Sequence, residues 1–227
     1  MFTFNAEDLD EARRIVSSLN LPSEFGTDGD LDMSDLEMQL EDVIDGDYFV
    51  SCGISKAVII VDYLPFVIKI PFNGRWETDW SDDSEDGKYF VEFDQANASS
   101  CFDYCEDELN KTHLIQDNGF GCFVPNMMYL STVCGFNTYV QEKVIPKNES
   151  KDKNPSAGSL EKAKEEGYWD LVWAATAIDL YGLHFFHNFM DWAYSNCRDT
   201  MLDLHCANYG YDMSGRPVIL DVSGFRD

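Results

Sequence analysis

The sequence predicts an α+β chain in two lobes, an antiparallel sheet followed by a mostly helical part, with a short helical extension in front. Three observations predict this. Residues 47–72 are dense in Val, Ile, Tyr and Phe, with turn residues between the runs. The stretch "PKNESKDKNPSAGS" is polar and holds lysines that are scarce elsewhere, so it reads as a linker. Beyond it, "LEKAKEEGYWDLVWAATAIDLYGLHFFHNFMDWAYSN" reads as helix. With 227 residues, 44% hydrophobic and 14% aromatic, the chain has the content for a packed core rather than for disorder. The expected division is an extension over 1–45, a sheet lobe over 46–145 and a helical lobe over 146–227.

Taken in order, Asn5 is placed to cap a helix reaching Leu19, with Leu9, Ala12, Ile15, Val16 and Leu19 at helical spacing. "SDLEMQLEDVI" opens with Ser34 and Glu37 in capping-box register and sets Leu36, Leu40, Val43 and Ile44 on one side. Both helices are expected to pack on the main body. "DYFVSCGISKAVIIVDYLPFVIKIPF" predicts three antiparallel strands broken at Gly53 and at "DYLP". Lys69 falls near the end of the third, where alternation puts Val67, Lys69 and Pro71 opposite Ile68 and Ile70.

Glu77 to Asp94 is crowded with carboxylates, Lys88 being its one cation, and reads as a solvated insertion or loop rather than a site. A helix from Gln95 or Ser100 to Gln116 follows, stopped by "DNGFG". "FVPNMMYLSTVCGFNTYVQEKVI" then predicts two strands with a turn at Cys134 to Asn137. Past the linker, two helices break near Gly182. No internal repeat is present.

Charge bounds the partners. The 42 Asp and Glu against 16 Lys and Arg leave −26, which repels nucleic acid and anionic membrane and reads first as a solvated acidic face, with attraction of a basic protein partner as the alternative. Seven cysteines form an odd set without a CxxC pair, which predicts reduced thiols in a cytoplasm. Cys101, Cys105, His184 and His187 lack the spacing of a zinc site. The N-terminus has no apolar signal region and no run reaches membrane-spanning length, so neither secretion nor membrane insertion is expected.

The chemistry lies near the end. "LDLHCANYG" holds Asp203 and Asn208 around His205, and after the hairpin-like "YGYDMSGRPVIL" comes Asp221 in "DVSGF". Phosphoryl transfer from a nucleotide requires a cation on the phosphates, hard oxygen ligands for magnesium and a carboxylate beside the attacking hydroxyl. Asp and Asn suit that metal. His205 is read as packing beneath the loop.

The order of strand Lys, helix Glu, hinge, Asp-x4-Asn, hairpin and Asp resembles the protein-kinase-like superfamily. The "DLHxxN" wording is closest to aminoglycoside phosphotransferases and to the short serine/threonine kinases of lytic bacteriophages. The resemblance covers most of residues 46–227 and implies a minimal bilobal fold, with an antiparallel-sheet N-lobe and a truncated C-lobe. It implies ATP and magnesium as cofactors and a host protein as substrate, in the host cytoplasm if the chain is viral. Asp203 resembles the Asp that orients the substrate hydroxyl, and Asn208 and Asp221 resemble the two magnesium ligands. Lys69 resembles the Lys on the α and β phosphates. Its partner is Glu106 or Glu108, with Glu108 preferred for its place before Leu109. "YVQEKV" is similar to the hinge, where the backbone of Glu142 and Val144 meets adenine.

Three departures stand beside this. The phosphate-covering loop offers only Gly53, with Ser51 and Ser55 as small substitutes. Ser223 stands where the final motif has Gly. Met201 and Leu202 replace the His-Arg pair of regulated kinases, which argues against control by an activation-loop phosphate. The poor glycine loop, Ser223 in the final motif and the truncated C-lobe favour a rival, a pseudokinase that uses the kinase-like fold and its acidic surface to bind and block a host factor. Transfer to a small molecule, or of AMP, is also open.

Overall fold

The computed structural model describes residues 2–22, 33–53, 55–77, 88–146, 169–196 and 208–222. The chain is α+β, with a five-stranded antiparallel sheet and several helices. It divides into two compact units that are not contiguous in sequence. One comprises Met1–Glu106 with Met127–Gln141, the other Asp107–Asn126 with Glu142–Asp227. Among the described residues no helix is long and apolar enough to cross a membrane.

The first unit opens with α1 (Ala6–Ser17), whose N-cap Asn5 accepts the Glu7 amide at 2.9 Å as the sequence predicts. In α2 (Ser34–Glu41) the expected capping box does not form. The N-cap is Met33, which has no capping side chain, and Ser34 already lies inside the helix. Burial sets this helix's place instead, with Leu36 and Leu40 wholly buried.

Strands β1 (Tyr48–Cys52), β2 (Lys56–Val61) and β3 (Phe66–Pro71) form an antiparallel meander. Strands β6 (Met127–Val133) and β7 (Phe136–Glu142) add to it in the order β1-β2-β3-β7-β6. Their turn is tighter than expected, with Cys134 and Gly135 as its two residues at φ 49° and 87°. Positive φ at both central residues gives the turn whose twist matches a hairpin. Both N-terminal helices belong to this unit's core, where Ala12, Ile15, Leu36 and Leu40 cluster with Ile59, Phe66, Ile68 and Ile70. Tyr63 in the β2–β3 turn donates to Glu11 Oε1 at 2.8 Å, and Arg14 Nη2 donates to the Val43 carbonyl at 2.9 Å.

The acidic stretch is not loop throughout. Strands β4 (Asn73–Glu77) and β5 (Lys88–Glu92) pair antiparallel as a separate ribbon, with residues 78–87 outside the described set. "KYFVE" is a β-former among carboxylates, and the charge count concealed it. A short 3-10 helix (Gln95–Ser100), capped by Asp94, leads to α3 (Tyr104–Ile115). The expected stop at "DNGFG" is a π turn (Gln116–Phe120) with Gly119 at φ 84°, then a 3-10 turn (Gly121–Phe123).

In the second unit β8 (Val144–Pro146), β9 (Tyr209–Asp212) and β10 (Pro217–Ile219) make a small antiparallel sheet in the order β10-β9-β8. Helices α4 (Trp169–Tyr181) and α5 (Leu183–Asn196) meet at Gly182, whose φ of 88° breaks them where the sequence places the break. An aromatic core fills this unit. Phe123 stacks on Phe189 with ring centroids 4.1 Å apart, and the Trp173 indole donates to the Val218 carbonyl at 3.2 Å. The linker beyond residue 146 lies outside the described residues.

Candidate functional site

Lys69 sits in β3, whose six residues are all buried. The strand alternates as expected, since Phe66, Ile68 and Ile70 join the core cluster while Lys69 occupies the other row, opposite Val58. That second row is covered too, and Lys69 is only 5% exposed. A lysine is held so deep only with a compensating partner, and Lys69 has one.

The preceding β1–β2 hairpin carries Ser51, Gly53 and Ser55. The Gly53 amide donates to the Lys56 carbonyl at 3.1 Å, and the Ser55 carbonyl accepts the Phe72 amide at 3.2 Å. Gly53 is outside the left-handed region, and a Cβ added there would meet nothing within 4 Å. Neither conformation nor space requires glycine here, so the departure from a glycine-rich loop stands at the level of geometry.

In α3 the two candidate carboxylates separate. Glu106 is exposed and Glu108 wholly buried, with a partner. The helix start is built by Asp103, a residue sequence reading did not single out. Its Oδ1 accepts the Glu106 amide at 2.8 Å. Its Oδ2 accepts the Tyr139 hydroxyl at 2.6 Å and Asn137 Nδ2 at 3.3 Å, tying the helix start to β7. Burial and the bond to Asp103 push the Tyr139 hydroxyl well above the ordinary phenol range.

Glu142 ends β7 in a dense polar knot. Its amide donates to the Asn126 carbonyl at 2.8 Å, so that amide is not available to a purine. Its Oε2 accepts the Asn126 amide at 3.0 Å, the Asn126 side chain at 2.8 Å and Arg216 Nη2 at 3.3 Å. Arg216 also donates from Nε to Asp212 Oδ2 at 2.7 Å and from Nη1 to the Gly121 carbonyl at 3.3 Å. Asp212 Oδ1 accepts from the Ser214 amide, the Ser214 hydroxyl and the Arg216 amide at 2.9, 2.7 and 2.8 Å. Burial raises the Asp212 pKa, but the Ser214 and Arg216 bonds outweigh it and hold the carboxyl below its usual range. Val144 pairs with Asp212 across the β8–β9 ladder.

Sequence reading missed Asn126, Asp212 and Arg216. The one available signal was "DMSGR", an Asp followed by turn residues with an Arg four positions on.

The β9–β10 hairpin also places the proposed metal ligands. Its register sets Tyr209 opposite Ile219, and the Leu220 amide donates to the Asn208 carbonyl at 2.8 Å. Asn208 and Asp221 therefore flank the same open end of one hairpin, both half-buried. An amide oxygen and a carboxylate are the hard donors that magnesium takes, so the pair fits part of such a site. Among the described residues no group of three or more His, Cys, Asp or Glu could hold a metal ion. Asp203 and His205 lie outside the described residues.

No protein-family model, no curated protein and no solved structure matches the chain.

Proposed function

We propose that the chain is an ATP- and magnesium-dependent phosphotransferase of the protein-kinase-like kind, acting on serine or threonine hydroxyls of a protein substrate. The observation that carries the reading is the placement of Asn208 and Asp221 at the same end of one hairpin, fastened by the hydrogen bond from the Leu220 amide to the Asn208 carbonyl. Further support is the element order. A meander with a buried Lys in its third strand, then a helix with a buried Glu and a two-strand addition, is the order the resemblance implies.

On this reading the Lys69 ammonium donates to phosphate oxygens, while Asn208 and Asp221 offer oxygen ligands. Magnesium, when bound, neutralises charge on the phosphate chain. Asp203 orients the acceptor hydroxyl and takes its proton as the hydroxyl oxygen bonds to the γ-phosphorus. The bond from that phosphorus to the bridging oxygen breaks, and ADP leaves. A protein acceptor and a bacteriophage origin belong to the resemblance and are proposals with it.

The geometry of Gly53 and the charge of −26 favour a second reading, an inactive kinase-like scaffold that captures a basic host protein. Both are tested by incubating wild type, Lys69→Ala, Asp203→Asn and Asp221→Ala with magnesium and γ-labelled ATP, alone and with a bacterial lysate. Label on protein bands with wild type alone supports transfer, and an α-labelled lane separates AMP transfer from it. Equal labelling by all four proteins, or none by wild type together with no ATP-induced thermal shift, would sink the first reading.

A further inference from the structure

We propose that Arg216 is the positioning residue for recognition of the nucleotide base, because one guanidinium holds the segment Glu142–Val144 directly at Glu142 and through Asp212 at Val144. The inference rests on the phosphotransferase reading, in which that segment, apart from the Glu142 amide already bonded to Asn126, faces adenine. At the first end, Arg216 Nη2 lies 3.3 and 3.5 Å from the two Glu142 carboxylate oxygens. At the other end, Val144 pairs with Asp212, whose carboxylate accepts Arg216 Nε at 2.7 Å. Chain, ladder and ion pairs thus close a ring: Glu142 to Val144, Val144 to Asp212, Asp212 to Arg216, Arg216 to Glu142.

The ring is anchored from outside on two sides. Asn126 grips Glu142 by backbone and side chain, and Arg216 Nη1 reaches the Gly121 carbonyl. A planar guanidinium aimed at three acceptors fixes their relative positions, whereas an ammonium keeps the charge and loses the fork. Base recognition through a backbone edge depends on placement at the scale of an ångström. Phosphate binding through Lys69 and the metal ligands does not use this ring. Arg216 therefore sets base preference rather than phosphate affinity.

The test compares the dissociation constants of magnesium ATP and magnesium tripolyphosphate for the full-length wild type and Arg216→Lys, with circular dichroism to verify folding. Wild type is expected to prefer ATP. Arg216→Lys is expected to weaken ATP by about tenfold and leave tripolyphosphate within about twofold. Should that variant not fold, Glu142→Gln, which keeps the shape and weakens the same ion pair, is expected to lose preference in the same direction. Equal weakening of both ligands, or no change in either by a folded variant, would make Arg216 a stabilising residue only and overturn the inference. A wild type that binds tripolyphosphate and ATP equally would also overturn it, whereas one that binds neither overturns the phosphotransferase reading beneath it.

Discussion

The Tyr139 hydroxyl donates to Asp103 Oδ2 at 2.6 Å, while the other oxygen of the same carboxylate accepts the Glu106 amide at 2.8 Å. One side chain thus caps α3 and fastens it to β7. Asp103→Ala removes the cap and leaves a buried hydroxyl without its acceptor, so a loss of about 2 kcal/mol is expected. Urea unfolding at neutral pH measures it, and a variant as stable as wild type would refute the role.

The same bond has an alkaline signature. Burial and Asp103 raise the Tyr139 pKa in the folded state above its unfolded value of about 10. The hydroxyl's contribution is therefore fully present below pH of about 10 and is lost as pH rises toward the folded pKa. Between pH 8 and 11, wild type should lose more unfolding free energy than Tyr139→Phe. Parallel curves for the two proteins would contradict this.

Asp212 makes the opposite prediction. Its folded pKa lies below the unfolded value of about 3.9, so its contribution is present above that value and lost as pH falls through the folded pKa. Asp212→Asn should lose about 2 kcal/mol at neutral pH, less than a fully buried pair costs because Arg216 keeps Glu142. The gap to wild type should narrow below about pH 4. Melting temperatures from pH 3 to 7 decide it, and a constant gap would contradict the assignment.

Glu106 and Glu108 lie two positions apart in α3, the first exposed and the second wholly buried. Glu106→Gln, on the exposed side, should stay within about 0.5 kcal/mol of wild type and, on the phosphotransferase reading, keep the wild-type activity. Glu108→Gln should lose at least about tenfold in phosphotransfer, measured with γ-labelled ATP under saturating magnesium. Equal activity of the two variants would remove Glu108 from the proposed machinery.

Gly135 is a site where the backbone dictates the residue. At φ 87°, and with an added Cβ only 3.1 Å from Ala98 Cβ, alanine is strained twice. Gly135→Ala should cost about 1–2 kcal/mol in urea unfolding, and an unchanged midpoint would show that the β6–β7 turn relaxes freely.

The sequence by itself determined the elements whose cause is local. The cap at Asn5, the three-strand meander, the helix break at Gly182 and the hairpin between Asn208 and Asp221 follow from periodicity and turn chemistry, which neighbouring residues carry. Charge composition concealed one strand, Lys88–Glu92, and a capping-box pattern gave a helix start that burial of Leu36 and Leu40 overrode. Only the tertiary structure decided the long-range placements. It buried Glu108 and exposed Glu106, joined Asp103 to Tyr139 across 36 positions, and brought Arg216 to Glu142 across 74. A side chain's burial and ion-pair partners depend on which distant strands close around it, and no window of sequence contains that information.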